Sequence, residues 1–166
     1  MFELKPLSSD AVPRALAKAE RYRLLNEPGE AHSICLDVLA ADPHNQEALR
    51  TMILALTDQF DSEQALVHDA LATVPLLHDP YEQKYYTGII HERRAKALLR
   101  HAAPRSGPRA YEWLREAMTF FEKAEKLRPS NNDDALLRWN ACARLIMTDH
   151  HLVPMSEEPK EPLISE

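Results

Sequence analysis

Residues 117–129 read AMTFFEKAEKLRP, which is the clearest helical pattern in the chain. Ala117, Phe121 and Ala124 stand four and three residues apart, which places them on one face of an α-helix. Glu and Lys, at 122, 123, 125 and 126, lie between and after these residues. Pro129 follows shortly after, where it cannot continue the helix. The stretch therefore predicts an amphipathic helix with a narrow packing face of small and aromatic residues and a fixed end.

The same spacing occurs a second time, near the start of the chain. Ala31, Cys35, Val38 and Pro43 are separated by the same intervals as Ala117, Phe121, Ala124 and Pro129. Recurrence of one spaced pattern indicates that one supersecondary unit is used more than once. We therefore interpret the chain as an array of repeated helical units.

Both stretches resemble the second helix and closing turn of the tetratricopeptide repeat (TPR), in which A-x-x-x-F precedes a small residue and then Pro. Residues 42–49, DPHNQEAL, resemble the turn between such repeats, since Pro43 stops one helix and Asn45 caps the next. The resemblance implies an all-α fold in which antiparallel helical hairpins stack into a short right-handed superhelix. It also implies a concave face lined by the first helix of each hairpin.

The resemblance covers residues 11–149 and implies about three repeats and a capping helix, at roughly 12–45, 46–79, 81–131 and 132–149. Residues 1–10 form an N-terminal segment. Residues 150–166, rich in Pro and Glu, have the composition of a flexible acidic tail.

The third repeat is longer than the family pattern. Pro43 and Pro129 are 86 residues apart, whereas two repeats of about 34 account for about 68. The excess of about 18 residues corresponds to about five helical turns. It predicts a lengthened hairpin that projects about 10 Å past its neighbours, since the extra residues are shared between two helices.

Composition agrees with an all-α protein. Only 3 of the 166 residues are Gly, which argues against many tight β-turns, and Ala, Leu, Glu and Arg are abundant. Because no apolar run has the length of a membrane span and residues 1–13 lack a signal segment, we expect a soluble cytoplasmic protein without membrane contact. Cys35 and Cys142 have no C-x-x-C partner and are predicted to fill core positions.

Motifs that carry chemistry are not recognisable in the sequence. The three glycines, at 29, 88 and 107, cannot form a phosphate loop. His91-Glu92 begins like a zinc-protease helix, but Ala95 stands where the second His is needed, and the adjacent His150-His151 pair diverges on a helix. We therefore predict no catalytic residue, no metal site and no cofactor. A catalytic triad assembled in space alone is the remaining alternative.

The concave face implied by the resemblance is the predicted binding surface for a peptide or helical segment of a partner protein. The extended third hairpin is a second surface for such a partner. The repeat pattern also puts Leu16, Glu20, Arg23 and Asp58 on or near the concave face. The groove candidates are Arg50, Leu54, Tyr85, Tyr86, Ile89, Arg93 and Arg144. Their arginines could hold carboxylates while the tyrosines and Ile89 supply apolar contact. In the alternative interpretation the tyrosines pack between hairpins and the arginines are solvated.

Residues 91–115 are a basic segment in an acidic protein. They hold seven Lys or Arg against two Asp or Glu, whereas the whole chain has a net charge of −6. The basic candidates around the hairpin tip are Arg94, Lys96, Arg100, Arg105 and Arg109. They could meet nucleic-acid phosphates or an acidic protein surface, although few aromatic residues interleave with them. The alternatives are a solvated face or contact with the acidic tail. Self-assembly into a homodimer through uncovered apolar faces is a further hypothesis.

Overall fold

The computed structural model describes residues 1–60, 65–101 and 105–155, and within these ranges it contains seven α-helices and no strand. The all-α prediction is confirmed. Two short 3-10 turns, Ser9–Ala11 and Val74–Leu76, flank helices. The helices are α1 (Val12–Leu24), α2 (Pro28–Ala41), α3 (Gln46–Thr57), α4 (Ala65–Thr73), α5 (Pro80–Arg100), α6 (Ser106–Glu125) and α7 (Asp134–Thr148). None of the described helices is both long and apolar enough to span a membrane.

Local sequence signals fix where several helices begin. The Asn45 side chain accepts a hydrogen bond from the Ala48 amide at 2.9 Å, so Asn45 caps α3 as predicted. Asp79 caps α5 in the same way, through the Tyr81 amide at 2.9 Å. Pro80 follows in the first turn, where its missing N–H leaves no helical hydrogen bond unmade.

The helices stack in chain order. Each helix packs against the next one, and α3 also contacts α1 and α5. The apolar interior is divided accordingly: separate clusters lie around α1 to α3, around α3 to α5 and around α5 to α7. Neighbouring helices therefore share their apolar clusters.

The two predicted packing faces are buried. Ala117, Phe121 and Ala124 are fully buried, and so are Ala31, Cys35 and Val38. Gly88 on α5 allows α6 to approach closely, because a Cβ placed there would lie only 2.5 Å from Cε1 of Phe121. The spacing read from the sequence therefore marks the contacts that hold the hairpins together.

Both predicted core cysteines lie inside the protein. Cys35 and Cys142 are fully buried and are not joined in a disulfide. Burial raises the pKa of the Cys35 thiol to about 11 and that of the Cys142 thiol to about 12. Both therefore stay protonated at neutral pH and fill space as small apolar side chains.

The third hairpin is longer than the others. Helices α5 and α6 have 21 and 20 residues, whereas α1, α2 and α3 have 13, 14 and 12. Seven or eight extra residues at 1.5 Å each correspond to about 10 Å. The predicted lengthening is confirmed.

The C-terminal segment, residues 149–155, packs against the end of this hairpin. Leu152 is buried in the cluster around α5 to α7. A Cβ on Gly107, at the start of α6, would overlap the carbonyl oxygen of His151. The folded part thus extends past the predicted tail boundary at residue 150, at least to Leu152, because one apolar side chain anchors the segment. The rest of the predicted acidic tail, 156–166, lies outside the described residues.

Candidate partner-binding cleft

A cleft of about 510 Å³ lies on the side of the stack formed by the odd-numbered helices. Among the described lining residues, α2 contributes only Pro28, and α4 and α6 contribute none. The lining residues are Arg23, Leu24, Asn26, Pro28, Thr57, Asp58, Glu92, Arg93, Lys96, Arg100 and Arg138. The cleft is therefore built from the C-terminal ends of α1 and α3, the second half of α5 and the first half of α7.

Helix α5 supplies the largest share of the cleft. Glu92, Lys96 and Arg100 stand four residues apart, so they follow one stripe of the helix, and Arg93 lies beside this stripe. Ile90 and Ala97 turn to the apolar cluster around α3 to α5 instead. One helix thus contributes both to the core and to the charged wall.

The first ion cluster, called the Asp58 cluster, joins three helices. Asp58 Oδ2 accepts a hydrogen bond from Arg23 Nε at 2.8 Å, and Asp58 Oδ1 accepts one from Arg93 Nη1. Arg93 Nη1 also donates to Thr57 Oγ1 at 3.1 Å. The side chains of Arg23, Asp58 and Arg93 are only 19%, 23% and 25% exposed. These charge-assisted bonds hold the cations of α1 and α5 at the end of α3.

The second ion cluster, called the Glu92 cluster, joins α5 to α7. Glu92 is fully buried, and its Oε1 accepts hydrogen bonds from Lys96 Nζ at 2.5 Å and from Arg138 Nη1 at 3.4 Å. Glu92 Oε2 has no hydrogen-bond partner among the described residues. Burial acts to lower the pKa of Arg138, but Glu92 and the Tyr85 hydroxyl together raise it above its ordinary value. The two cations thus lie beside a carboxylate that is fully buried, which offsets part of the cost of removing it from water.

The cleft carries an excess of positive charge. Its described lining holds five cationic side chains and two carboxylates, an excess of three positive charges, although the whole chain is acidic. A concave, partly desolvated surface concentrates such a field. The described lining contains no His or Cys, and the hydroxyl of Thr57 accepts from Arg93 and donates to the Leu54 carbonyl. The cleft thus offers N–H donors to an anion.

Arg93 is the one groove candidate that the described lining of the cleft includes. Arg50 forms an ion pair with Glu82 at 3.0 Å, which joins α3 to α5. Arg144 is exposed on α7, outside that lining. Arg23 and Asp58, which the repeat pattern also put near the concave face, do lie in the cleft.

The apolar groove candidates pack inside the stack. Leu54 and Tyr85 contact the cluster around α5 to α7, and Tyr86 contacts the cluster around α3 to α5. The Tyr85 ring lies 5.3 Å from that of Tyr86 and 6.0 Å from that of Phe121, measured between ring centroids. The prediction that Ile89 lies on the groove surface is wrong. Its side chain is only 1% exposed because it packs in the cluster around α5 to α7.

The five basic candidates around the hairpin do not share one contact. Lys96 and Arg100 line the cleft. The guanidinium carbons of Arg94 and Arg109 lie 3.8 and 5.5 Å from the centroid of the Trp113 ring, between α5 and α6. Arg105 precedes α6 in a left-handed conformation, with a φ of 63°.

Two charged cleft residues, Glu92 and Arg138, were not among the sequence-predicted candidates. Glu92 interrupts the otherwise apolar stripe of α5, and a charged residue in such a stripe signals a buried ionic contact. Arg138 has no comparable signal, since a single Arg on an amphipathic helix is usually solvated. Its contact with Glu92 spans 46 positions of the sequence. No group of three or more His, Cys, Asp or Glu in the described part of the chain is arranged to hold a metal ion.

Comparison with known proteins found no relative: no protein-family model, no curated protein and no solved structure matched the chain.

Proposed function

We propose that the chain is a non-catalytic, TPR-like protein-interaction module that binds a segment of a partner protein in the cleft. The proposal depends mainly on which helices supply the residues that line the cleft. Alternate helices, α1, α3, α5 and α7, supply most of the described cleft residues. In a stack of helical hairpins, the first helices form such a shared surface, and extended concave surfaces are what repeat arrays use for binding.

Three further features support a TPR-like superhelix. The lengths of α1, α2 and α3 suit short hairpins, and α3 contacts α1 and α5 as successive first helices would. Asn45 caps α3 within the DPHN turn that resembles an inter-repeat turn. The apolar clusters are shared between neighbouring units. We assign the module to the cytoplasm, where buried thiols such as Cys35 stay unpaired.

Selection from a phage-displayed library of random twelve-residue peptides tests this proposal without a known partner. We expect peptides that bind the full chain and lose binding to the double variant Arg93→Gln, Arg138→Gln, because both cations face the cleft. The matched control is Arg14→Gln, Arg115→Gln, which removes the same charge from exposed residues outside the described lining of the cleft.

Equal helicity of the three proteins by circular dichroism ensures that lost binding reflects the cleft. A library that yields no binders, or binders that the two double variants retain equally, would show that the cleft does not bind a protein segment.

A further inference from the structure

On the basis of the proposed function, we infer that the partner segment is acidic and carries at least two Asp or Glu side chains, one for each ion cluster of the cleft. The two clusters combine the same numbers of positive and negative charges. The Asp58 cluster combines Arg23 and Arg93 with one carboxylate, and the Glu92 cluster combines Lys96 and Arg138 with one carboxylate. Each cluster therefore keeps one excess positive charge, which a carboxylate of the partner neutralises.

The cations of the Glu92 cluster lie nearer to the solvent than the carboxylate that holds them. The side chains of Lys96 and Arg138 are 40% and 36% exposed, whereas that of Glu92 is 0% exposed. A partner that enters the cleft thus meets the ammonium and guanidinium groups before the carboxylate beneath them. This arrangement favours an anion over a cation as the bound group.

The guanidinium groups of the Asp58 cluster have the donors for a second carboxylate. A guanidinium has five N–H donors in a planar fork. Arg23 contacts Asp58 through Nε, and Arg93 contacts Asp58 and Thr57 through Nη1. A carboxylate from the partner can accept from the outer nitrogens of either fork while Asp58 keeps both side chains in place.

The distance between the clusters sets the spacing of the acidic side chains. Arg93 and Lys96 are three residues apart on α5, a rise of about 4.5 Å along the helix axis. Same-side residues of an extended peptide are about 7 Å apart, and residues three or four apart on a helix are about 5–6 Å apart. Acidic residues two to four positions apart in the partner therefore reach both clusters.

A protein segment fits the cleft better than a nucleic acid does. The described lining residues include no aromatic side chain on which a base could stack. A volume of about 510 Å³ suits a short peptide rather than a duplex.

Two neutralising substitutions within the Glu92 cluster test the inference, because they must act in opposite directions. Glu92→Gln removes a negative charge without loss of a hydrogen bond in the cluster. The Gln carbonyl oxygen still accepts from Lys96 and Arg138 in place of Oε1. The amide nitrogen replaces Oε2, which has no partner among the described residues. Arg138→Gln removes a positive charge. A unit charge about 6 Å away changes affinity by about three- to tenfold at aqueous to intermediate dielectric.

The probe is the fluorescein-labelled peptide EAEAEAEA, measured by fluorescence anisotropy with the full chain at low salt. We expect Glu92→Gln to bind it about three- to tenfold more tightly than wild type, and Arg138→Gln about three- to tenfold more weakly. Glu116→Gln, on the exposed face of α6, makes the same charge change as Glu92→Gln outside the described lining and changes affinity less than about twofold. We expect the uncharged peptide QAQAQAQA not to bind.

The outcomes separate this inference from the proposed function. If both substitutions in the Glu92 cluster weaken binding, or if QAQAQAQA binds as tightly as EAEAEAEA, the acidic ligand class is wrong. If the phage library yields cleft-dependent peptides that are neutral or basic, the inference fails and the proposed function stands. A library without cleft-dependent binders overturns the proposed function itself.

Two further probes exclude other anions. Labelled oligothymidylate that binds more tightly than EAEAEAEA and shows the same opposite response would make nucleic acid the ligand and overturn the protein assignment. Replacement of Glu157, Glu158, Glu161 and Glu166 by Gln in the full chain leaves the affinity for EAEAEAEA within about twofold. A larger gain in affinity would identify the chain's own acidic residues as the occupant and also overturn the inference.

Discussion

Substitution of Gly88 by Ala tests the close approach of α5 and α6. The added Cβ would lie 2.5 and 2.7 Å from Cε1 and Cδ1 of Phe121, whereas ordinary van der Waals contact begins at 3.4 Å. Phe121 is fully buried among the residues of α5, α6 and α7, so its ring has no open space to enter. The helices must therefore separate, or the ring must leave its preferred rotamer.

The expected loss of stability follows from two opposing terms. Overpacking of a filled core costs about 1–3 kcal/mol, and a rigid buried ring puts Gly88→Ala near the upper end. The higher helix propensity of Ala returns about 1 kcal/mol. We expect a net loss of about 2 kcal/mol in the free energy of unfolding, which corresponds to a melting temperature about 4–8 °C lower in a chain of 166 residues.

Thermal and urea unfolding, followed by circular dichroism at 222 nm, measure this loss. Gly29→Ala is the matched control, since its Cβ would meet only Gln59 Oε1 at an ordinary distance of 3.7 Å. It should stabilise α2 by about 0.5–1 kcal/mol. A Gly88→Ala variant as stable as wild type, or more stable, would refute the packing argument.

A double-mutant cycle locates the clash. Phe121→Leu removes the aromatic atoms that the new Cβ would meet, so Gly88→Ala should cost at least about 1 kcal/mol less in that background. Equal costs in both backgrounds would place the strain elsewhere in α5.

Three other predictions test the remaining contacts. Gly107→Ala should displace the C-terminal segment from the tip of the long hairpin and speed amide hydrogen exchange there, and unchanged exchange would contradict the packing of the segment. Cys35 and Cys142 have thiol pKa values raised by burial from 9.0 to about 11 and about 12, so from pH 9 to 11 the unfolded chain loses protons that the native protein keeps. The free energy of unfolding should therefore fall as pH rises through this range, and urea midpoints should fall less in the double Ala variant; an equal fall would show that other groups cause it. Asp58→Asn should lower the free energy of unfolding by about 1–2 kcal/mol because two guanidinium groups lose their charged acceptor. Asp133→Asn, in an exposed pair with Arg128, should change it by less than about 0.5 kcal/mol. Equal urea midpoints for the two variants would contradict this ranking.

Local features of the fold were predictable because they depend on neighbours in the sequence. The stripe of Ala117, Phe121 and Ala124 follows from helical periodicity, and the Asn45 cap follows from one side chain three residues before the amide that it binds. The lengthened third hairpin follows from the spacing of two prolines. Each of these needs no knowledge of how distant helices meet.

The cleft was only partly predictable because its contacts are long-range. Arg23 and Arg93 followed from the repeat pattern, but the contact of Glu92 with Arg138 depends on where α7 lies. Ile89 stands one turn before Arg93 on α5, so periodicity puts both on one face. Packing in the cluster around α5 to α7 separates them, since this packing buries Ile89 and leaves Arg93 at the cleft. The spacing of residues in the sequence does not show whether a helical turn is buried by a neighbouring helix or exposed to solvent.

The two ion clusters have a consequence for biosynthesis. The Asp58 cluster needs α1, α3 and α5, and the Glu92 cluster needs α5 and α7, so the two clusters are complete only when α1 and α7 are both in place. Early hairpins leave the ribosome and can fold long before α7 is translated. A nascent chain therefore gains helices gradually but acquires the charge pattern of both ion clusters only after α7 has been translated.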